Sequence, residues 1–137
     1  MEFDDIDSSV LKIQGNVGVA KAIYEYSKRG YTVLLPFSDS DKYDLVVDID
    51  SKLYKVQVKT SRNKRKNIKS KVSYEVNLAT RGGNSKKNII RVRREEDYDI
   101  LFCLIETGEC WSIPVIELGT AKYSFIVTTP KFDKFKL

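Results

Sequence analysis

The chain has no histidine, and among its 137 residues there are only two cysteines, three prolines and one tryptophan. The missing imidazole excludes Ser-His-Asp and Cys-His catalysis, and any zinc site that relies on histidine. The two cysteines, Cys103 and Cys110, lie in or beside predicted strands. They are expected to be free, buried thiols in a reducing compartment. No apolar run approaches the ~20 residues that a membrane helix requires, so no membrane association is expected. The opening Met1-Glu2-Phe3-Asp4-Asp5 is acidic and lacks the basic start and apolar stretch of a signal peptide, so a cytoplasmic location is expected.

What the chain does have is the composition of a soluble globular domain, 42% hydrophobic and 31% charged. One domain over residues 1–137 is expected. The net charge is +5, but it is unevenly spread. Residues 62–94 carry twelve Lys or Arg and one acid, Glu75, which makes that segment +11 and leaves −6 for the remainder. Such a split is the electrostatic footprint of a polyanion partner, since each phosphate contact gains from counterion release. The competing explanation is a pair of solvated loops. Arg62, Lys64, Arg65, Lys66, Arg81, Lys86, Lys87, Arg91, Arg93 and Arg94 are the candidate nucleic-acid contacts.

The pattern along the chain alternates one helix with several strands. Gln14-Gly15-Asn16 reads as a helix start, with Asn16 as N-cap, and residues 17–29 as the helix. Its expected apolar face joins Val17, Ala20 and Tyr24 to Val19, Ile23 and Tyr26. Gly30 is the expected residue just past its end. Strands are expected at 31–35, 43–47, 53–59, 72–78, 98–105, 111–113 and 123–128, with a short helix at 114–118. Arg81 to Ser85 reads as a loop. The result is an α/β or α+β domain around a central sheet.

The most informative stretch is Tyr43-Asp44-Leu45-Val46-Val47, a short turn, then Leu53-Tyr54-Lys55-Val56-Gln57-Val58-Lys59. Residues two apart on a strand share a face and lie about 6.6 Å apart. Gln57 and Lys59 therefore project together, while Val56 and Val58 point the other way. A hairpin through residues 48–52 returns Asp44 beside them. An acid, an amide oxygen and a lysine on one sheet face are suited to holding a hard divalent cation against a phosphate. Asp44 and Gln57 would be ligands, with the Val58 carbonyl as a third, and Lys59 would orient water or offset negative charge. A solvated sheet face shows the same alternation.

Asp44 with Gln57-Val58-Lys59 resembles motifs II and III of the PD-(D/E)XK nucleases, with Gln where Asp or Glu is usual. Together with Gly15 to Lys21, Lys28 to Pro36 and Val56 to Thr60, it is similar to a small PD-(D/E)XK endonuclease family that carries Gln-x-Lys natively. That family includes a cyanobacterial group I intron homing endonuclease. The resemblance covers about residues 14–118. It implies a restriction-endonuclease-like core, a central mixed sheet flanked by helices. It also implies a metal-dependent DNA endonuclease using Mg²⁺, or Mn²⁺ in its place, as a homodimer or homotetramer. The substrate would be double-stranded or branched DNA, encountered on the nucleoid. Archaeal Holliday-junction resolvases share the fold more distantly. Such nucleases often place a Glu on the first helix, where Val19 or Ala20 stands here, and Glu25 lies further along. A Holliday-junction resolvase, or a catalytically inactive DNA-binding module on a nuclease fold, is the alternative expectation.

Overall fold

In the computed structural model, residues 8–39, 42–67, 69, 71–82 and 89–137 are described. Helix α1 spans Ser8–Lys28 and so begins well before the expected Asn16 cap, which lies inside it. The buried stripe is Gly18, Ala22, Glu25 and Tyr26, while Val17 and Tyr24 are more than half exposed. The expected apolar face is thus half right: Val19, Ile23 and Tyr26 pack inward, whereas Val17, Ala20 and Tyr24 face outward. Gly18 explains the difference. A Cβ there would lie 2.5 Å from Thr60 Cγ2 and 3.1 Å from Val58 Cγ1, so the helix rests backbone-first on the strand beneath. The helix stops as expected. Gly30, at φ 82°, sends its N–H to the Ser27 carbonyl, and Tyr31 sends its own to Tyr26, closing a Schellman motif.

Strands β1 (Thr32–Leu34), β2 (Leu45–Ile49) and β3 (Lys52–Ser61) form an antiparallel meander. The β2–β3 loop is only Asp50-Ser51, with φ of 52° and 69°, the doubly left-handed turn that matches strand twist. The chain then makes a second layer. β4 (Lys64–Lys66) pairs with β5 (Val72–Asn77), and β6 (Thr80–Gly82) pairs with β7 (Ile89–Arg91). Arg81 and Gly82 are therefore strand where a loop was expected. A 3-10 turn at Glu95–Asp97 leads back into the main sheet. There β8 (Ile100–Ile105) runs parallel to β3, and β9 (Cys110–Pro114) runs antiparallel to β8. After a 3-10 turn at Val115–Leu118, β10 (Ser124–Ile126) joins the second layer beside β5.

The main sheet has the order β1-β2-β3-β8-β9 and is covered on both faces. Helix α1 packs on the face carrying Leu45, Val47, Val56, Val58 and Phe102. The opposite face carries Leu101, Cys103, Ile105, Trp111 and Ile113, packed under Tyr74, Val76, Leu78 and Tyr98. That second face is closed mainly by the small β10-β5-β4 sheet, with Phe132 contributed by a 3-10 segment, Pro130–Phe135. Cys103 and Cys110 are both free and buried, one in each core, so they point away from each other. Among the described residues, no helix is long and apolar enough to cross a membrane.

Candidate active site

The β2–β3 register sets Leu45 against Val56, which places Asp44 opposite Gln57. The Asp44 N–H donates to the Val56 carbonyl at 2.8 Å and extends the ladder by one residue. Asp44 Oδ2 then accepts two hydrogen bonds, each 2.8 Å long, from the Val58 N–H and from Gln57 Nε2. The same Gln57 nitrogen lies 3.3 Å from the Val58 carbonyl oxygen. The three residues expected to act as ligands are therefore bonded into one cluster, and Lys59 follows on the same sheet face as Gln57.

That face is not open to water. Gln57 is 8% exposed and Lys59 half-buried, because the second layer covers them. Burial pushes the Asp44 carboxyl up from its ordinary value, against the Val58 hydrogen bond and the Lys59 charge. Burial also pushes the Lys59 ammonium down, with Asp44 opposing. Two charges of opposite sign thus share a poorly solvated site, each partly offsetting the other.

The donor chemistry fits a hard divalent cation. A carboxylate, a carboxamide and a backbone carbonyl are all oxygen ligands, and Mg²⁺ commonly completes its shell with water. Turning the Gln57 amide over exchanges Nε2 for Oε1 and sets an oxygen beside Asp44. No group of three Asp, Glu, Cys or His side chains suited to a metal occurs among the described residues. Glu25, the one acid of α1, lies on the other side of the sheet. It is 5% exposed and paired with Lys21, Lys28 and Arg29 at 3.1, 3.8 and 2.6 Å. Arg29 in particular holds its carboxyl below the usual range.

The expected nucleic-acid contacts separate into several groups. Arg62, Lys66 and Arg94 are exposed. Lys64 is exposed and pairs with Glu106 at 3.2 Å, and Arg65 pairs with Glu75 at 2.5 Å. Arg91 is half-buried and pairs with Asp97 at 3.0 Å. Arg93 requires a correction. It is 8% exposed, and its guanidinium donates to the Gly119 carbonyl at 3.0 Å and to the Ala121 carbonyl at 2.7 Å. It ties the 91–94 segment to the loop before β10 and is a structural clamp, not a surface contact. Lys86 and Lys87 lie outside the described residues, as does the side chain of Arg81. Sequence reasoning did not assign Asp97 or Tyr98 to the site, although both border Gln57 and Lys59. The one available signal was Glu95-Glu96-Asp97, an acidic triplet directly after the basic run.

The model of the PD-(D/E)XK endonuclease family matches residues 10–136. A stretch of 83 residues is 35% identical to Protein 5.3 of Escherichia phage T7. That match takes in 61% of this chain, and the chain spans only 63% of that protein's length. The fold is similar to that of a bacterial homing endonuclease, I-Ssp6803I. The TM-score is 0.72 at 26% identity, covering 91% of this chain and 87% of the other. Nucleases of this kind generally use a divalent metal. With a family match over residues 10–136, nearly its whole length, the chain belongs to the PD-(D/E)XK endonuclease family.

Proposed function

We propose that this protein is an Mg²⁺-dependent DNA endonuclease of the homing or restriction-like kind, with Mn²⁺ able to replace Mg²⁺. The observation that carries the reading is the bonded cluster of Asp44, Gln57 and Val58 with Lys59 beside it on one sheet face. Asp44 is the charged ligand, and Gln57 and the Val58 carbonyl are neutral ones. A divalent cation held there supplies Lewis acidity for the phosphoryl oxygens. Asp44 is kept in place by the Val58 N–H, so its free oxygen presents a fixed direction. Lys59, on a rigid strand and sheltered from bulk water, stabilises negative charge developing on the phosphate. The second layer excludes water from its flank and strengthens that interaction.

Arg62, Lys64, Lys66 and Arg94 form the surface that meets the DNA backbone, which sets position but not sequence. Both strands must be cut, so the working unit is a homodimer or homotetramer, acting inside the cell on nucleoid DNA. The homing-like reading draws on the similarity to I-Ssp6803I. A catalytically silent DNA-binding module is the second reading, motivated by the single carboxylate of the cluster and by Val19 and Ala20 on α1.

The test is nicking and linearisation of supercoiled plasmid, beside a four-way junction and AT-rich duplexes, in Mg²⁺, Mn²⁺ or EDTA. Wild type should cut only with metal, and Lys59→Ala should not. DNA binding without metal-dependent cutting of any of these substrates would favour the silent module.

A further inference from the structure

Beyond Lys59 the polar surface continues into a small pocket lined by Lys42, Gln57, Lys59, Arg91, Asp97 and Tyr98. Tyr98 is 4% exposed, and its hydroxyl has no hydrogen-bond partner among the described residues. A buried hydroxyl without a partner is rare in native proteins and marks a place where a water or a ligand oxygen belongs. The charge around it is positive. Among the described residues that line it, Lys42, Lys59, Arg91 and Arg93 face one carboxylate, Asp97, while Asp44 lies near Lys59.

That carboxylate is already bound on both sides. Asp97 Oδ2 accepts the Arg94 N–H at 3.1 Å, and Oδ1 accepts from Arg91 at 3.0 Å. Asp97 is thus fixed to the backbone and in turn holds Arg91. The neighbouring Arg93 locks the same segment to the Gly119 and Ala121 carbonyls. Asp97 occupies only one of the five N–H donors of Arg91, so the guanidinium retains its fork for an anion. The pocket has room for about one water-sized group. A nucleobase does not fit, but one oxygen of a phosphate lying across the mouth does.

We propose that this pocket is a backbone-phosphate subsite for the DNA phosphate next to the scissile one. Arg91 is its clamp, Tyr98 donates to a phosphate oxygen, and Asp97 is a positioning residue that orients Arg91. The subsite adjoins the reaction centre because Gln57 and Lys59 belong to both. The proposal rests on the nuclease reading above and adds to it a fixed register between backbone and cluster.

The experiment is DNA affinity in EDTA, where nothing is cut, measured on mixed-sequence duplexes across a NaCl series. Arg91→Ala should lower affinity about tenfold to a hundredfold. It should also reduce the salt slope by about 0.9, equally on every sequence. Arg91→Lys should keep the slope and recover only part of the affinity, because an ammonium lacks the fork. Tyr98→Phe should lower affinity about threefold to tenfold with the slope unchanged. Asp97→Asn should weaken binding at unchanged slope, since it removes orientation but no positive charge. Should Asp97→Asn fail to fold, Arg91→Lys and Tyr98→Phe carry the test as conservative changes. Wild-type affinity and slope in Arg91→Ala together with wild-type affinity in Tyr98→Phe would overturn the subsite, leaving the hydroxyl to a trapped water. The nuclease reading fails separately. If these variants behave as stated but plasmid is never cut, the pocket still binds a backbone phosphate, and its place beside a scissile phosphate falls with the catalytic assignment. If plasmid is cut with metal while these variants bind normally, the reverse holds.

Discussion

Gln57 donates its side-chain amide to Asp44 Oδ2 at 2.8 Å across the β2–β3 ladder, so the two proposed ligands are bonded to each other before any cation arrives. An ionised glutamate in place of Gln57 could not do this, because two carboxylates would face each other in a poorly solvated site. The neutral amide avoids that repulsion. It leaves Asp44 as the only negative ligand of the cluster, directly beside the Lys59 cation.

Gln57→Glu tests that balance. Without metal the variant should lose about 1.5 kcal/mol of stability, the value of a hydrogen bond to a charged group. With Mg²⁺ it should regain that loss, and bind the cation severalfold more tightly than wild type. Thermal melts in EDTA and in Mg²⁺, with calorimetric titration of the metal, would show both effects. Equal melting in EDTA for the two proteins would refute the argument.

Two glycines of the same helix should respond in opposite directions. Gly15→Ala places a methyl in open space and should stabilise by about 0.5–1 kcal/mol. Gly18→Ala places one 2.5 Å from Thr60 Cγ2, and should destabilise by about 1–2 kcal/mol despite the same gain in helix propensity. Urea unfolding of the two variants decides it. Because Thr60 follows Lys59, Gly18→Ala should also slow cleavage.

Burial of Asp44 and Lys59 gives stability a defined pH dependence. The Asp44 pKa is raised on folding, so its contribution is fully present below the ordinary value of 3.8 and is lost as pH rises through the folded value. The Lys59 pKa is lowered, so its contribution is present above 10.5 and is lost as pH falls through the folded value. At neutral pH both charged forms work against folding. Lys59→Met should therefore melt at a higher temperature than wild type at pH 7 while losing all cleavage, and its advantage should shrink as pH approaches 10.5. A lower melting temperature for Lys59→Met at pH 7 would contradict this.

Arg93→Ala should behave unlike any surface arginine. It leaves the Gly119 and Ala121 carbonyls without their donor and should cost about 2–3 kcal/mol of stability. Arg62→Ala should leave stability unchanged within about 0.5 kcal/mol and lower the salt slope of DNA binding. Denaturant midpoints for the pair distinguish clamp from contact.

The juxtaposition of Asp44 and Gln57 is legible in the sequence because its determinants are local. Period-two alternation and a tight turn place Asp44 against Gln57 without reference to the rest of the chain. The start of α1 was not legible. Gln14-Gly15-Asn16 reads as a helix start although it lies inside α1, and only the approach of Thr60, more than forty residues on, gives Gly18 its purpose. Arg93 looked like its basic neighbours because the carbonyls that bury it come from residues 119 and 121. The same limit applies to the second layer. β10 pairs with β5 across a long separation, and the 3-10 segment holding Phe132 has no helical period to announce it. Tyr98 opens the expected strand 98–105 and is buried. Its unpartnered hydroxyl appears only in three dimensions.

Cys103 and Cys110 occupy the two separate cores on either side of the main sheet. They therefore act as a pair of built-in reporters, one for each layer. A thiol reagent is expected to reach Cys110 when α1 lifts from the sheet, and Cys103 when the β10-β5-β4 layer parts from it. Labelling rates of the two single-cysteine variants would show which layer opens first, and whether DNA holds closed the one that lies over Lys59.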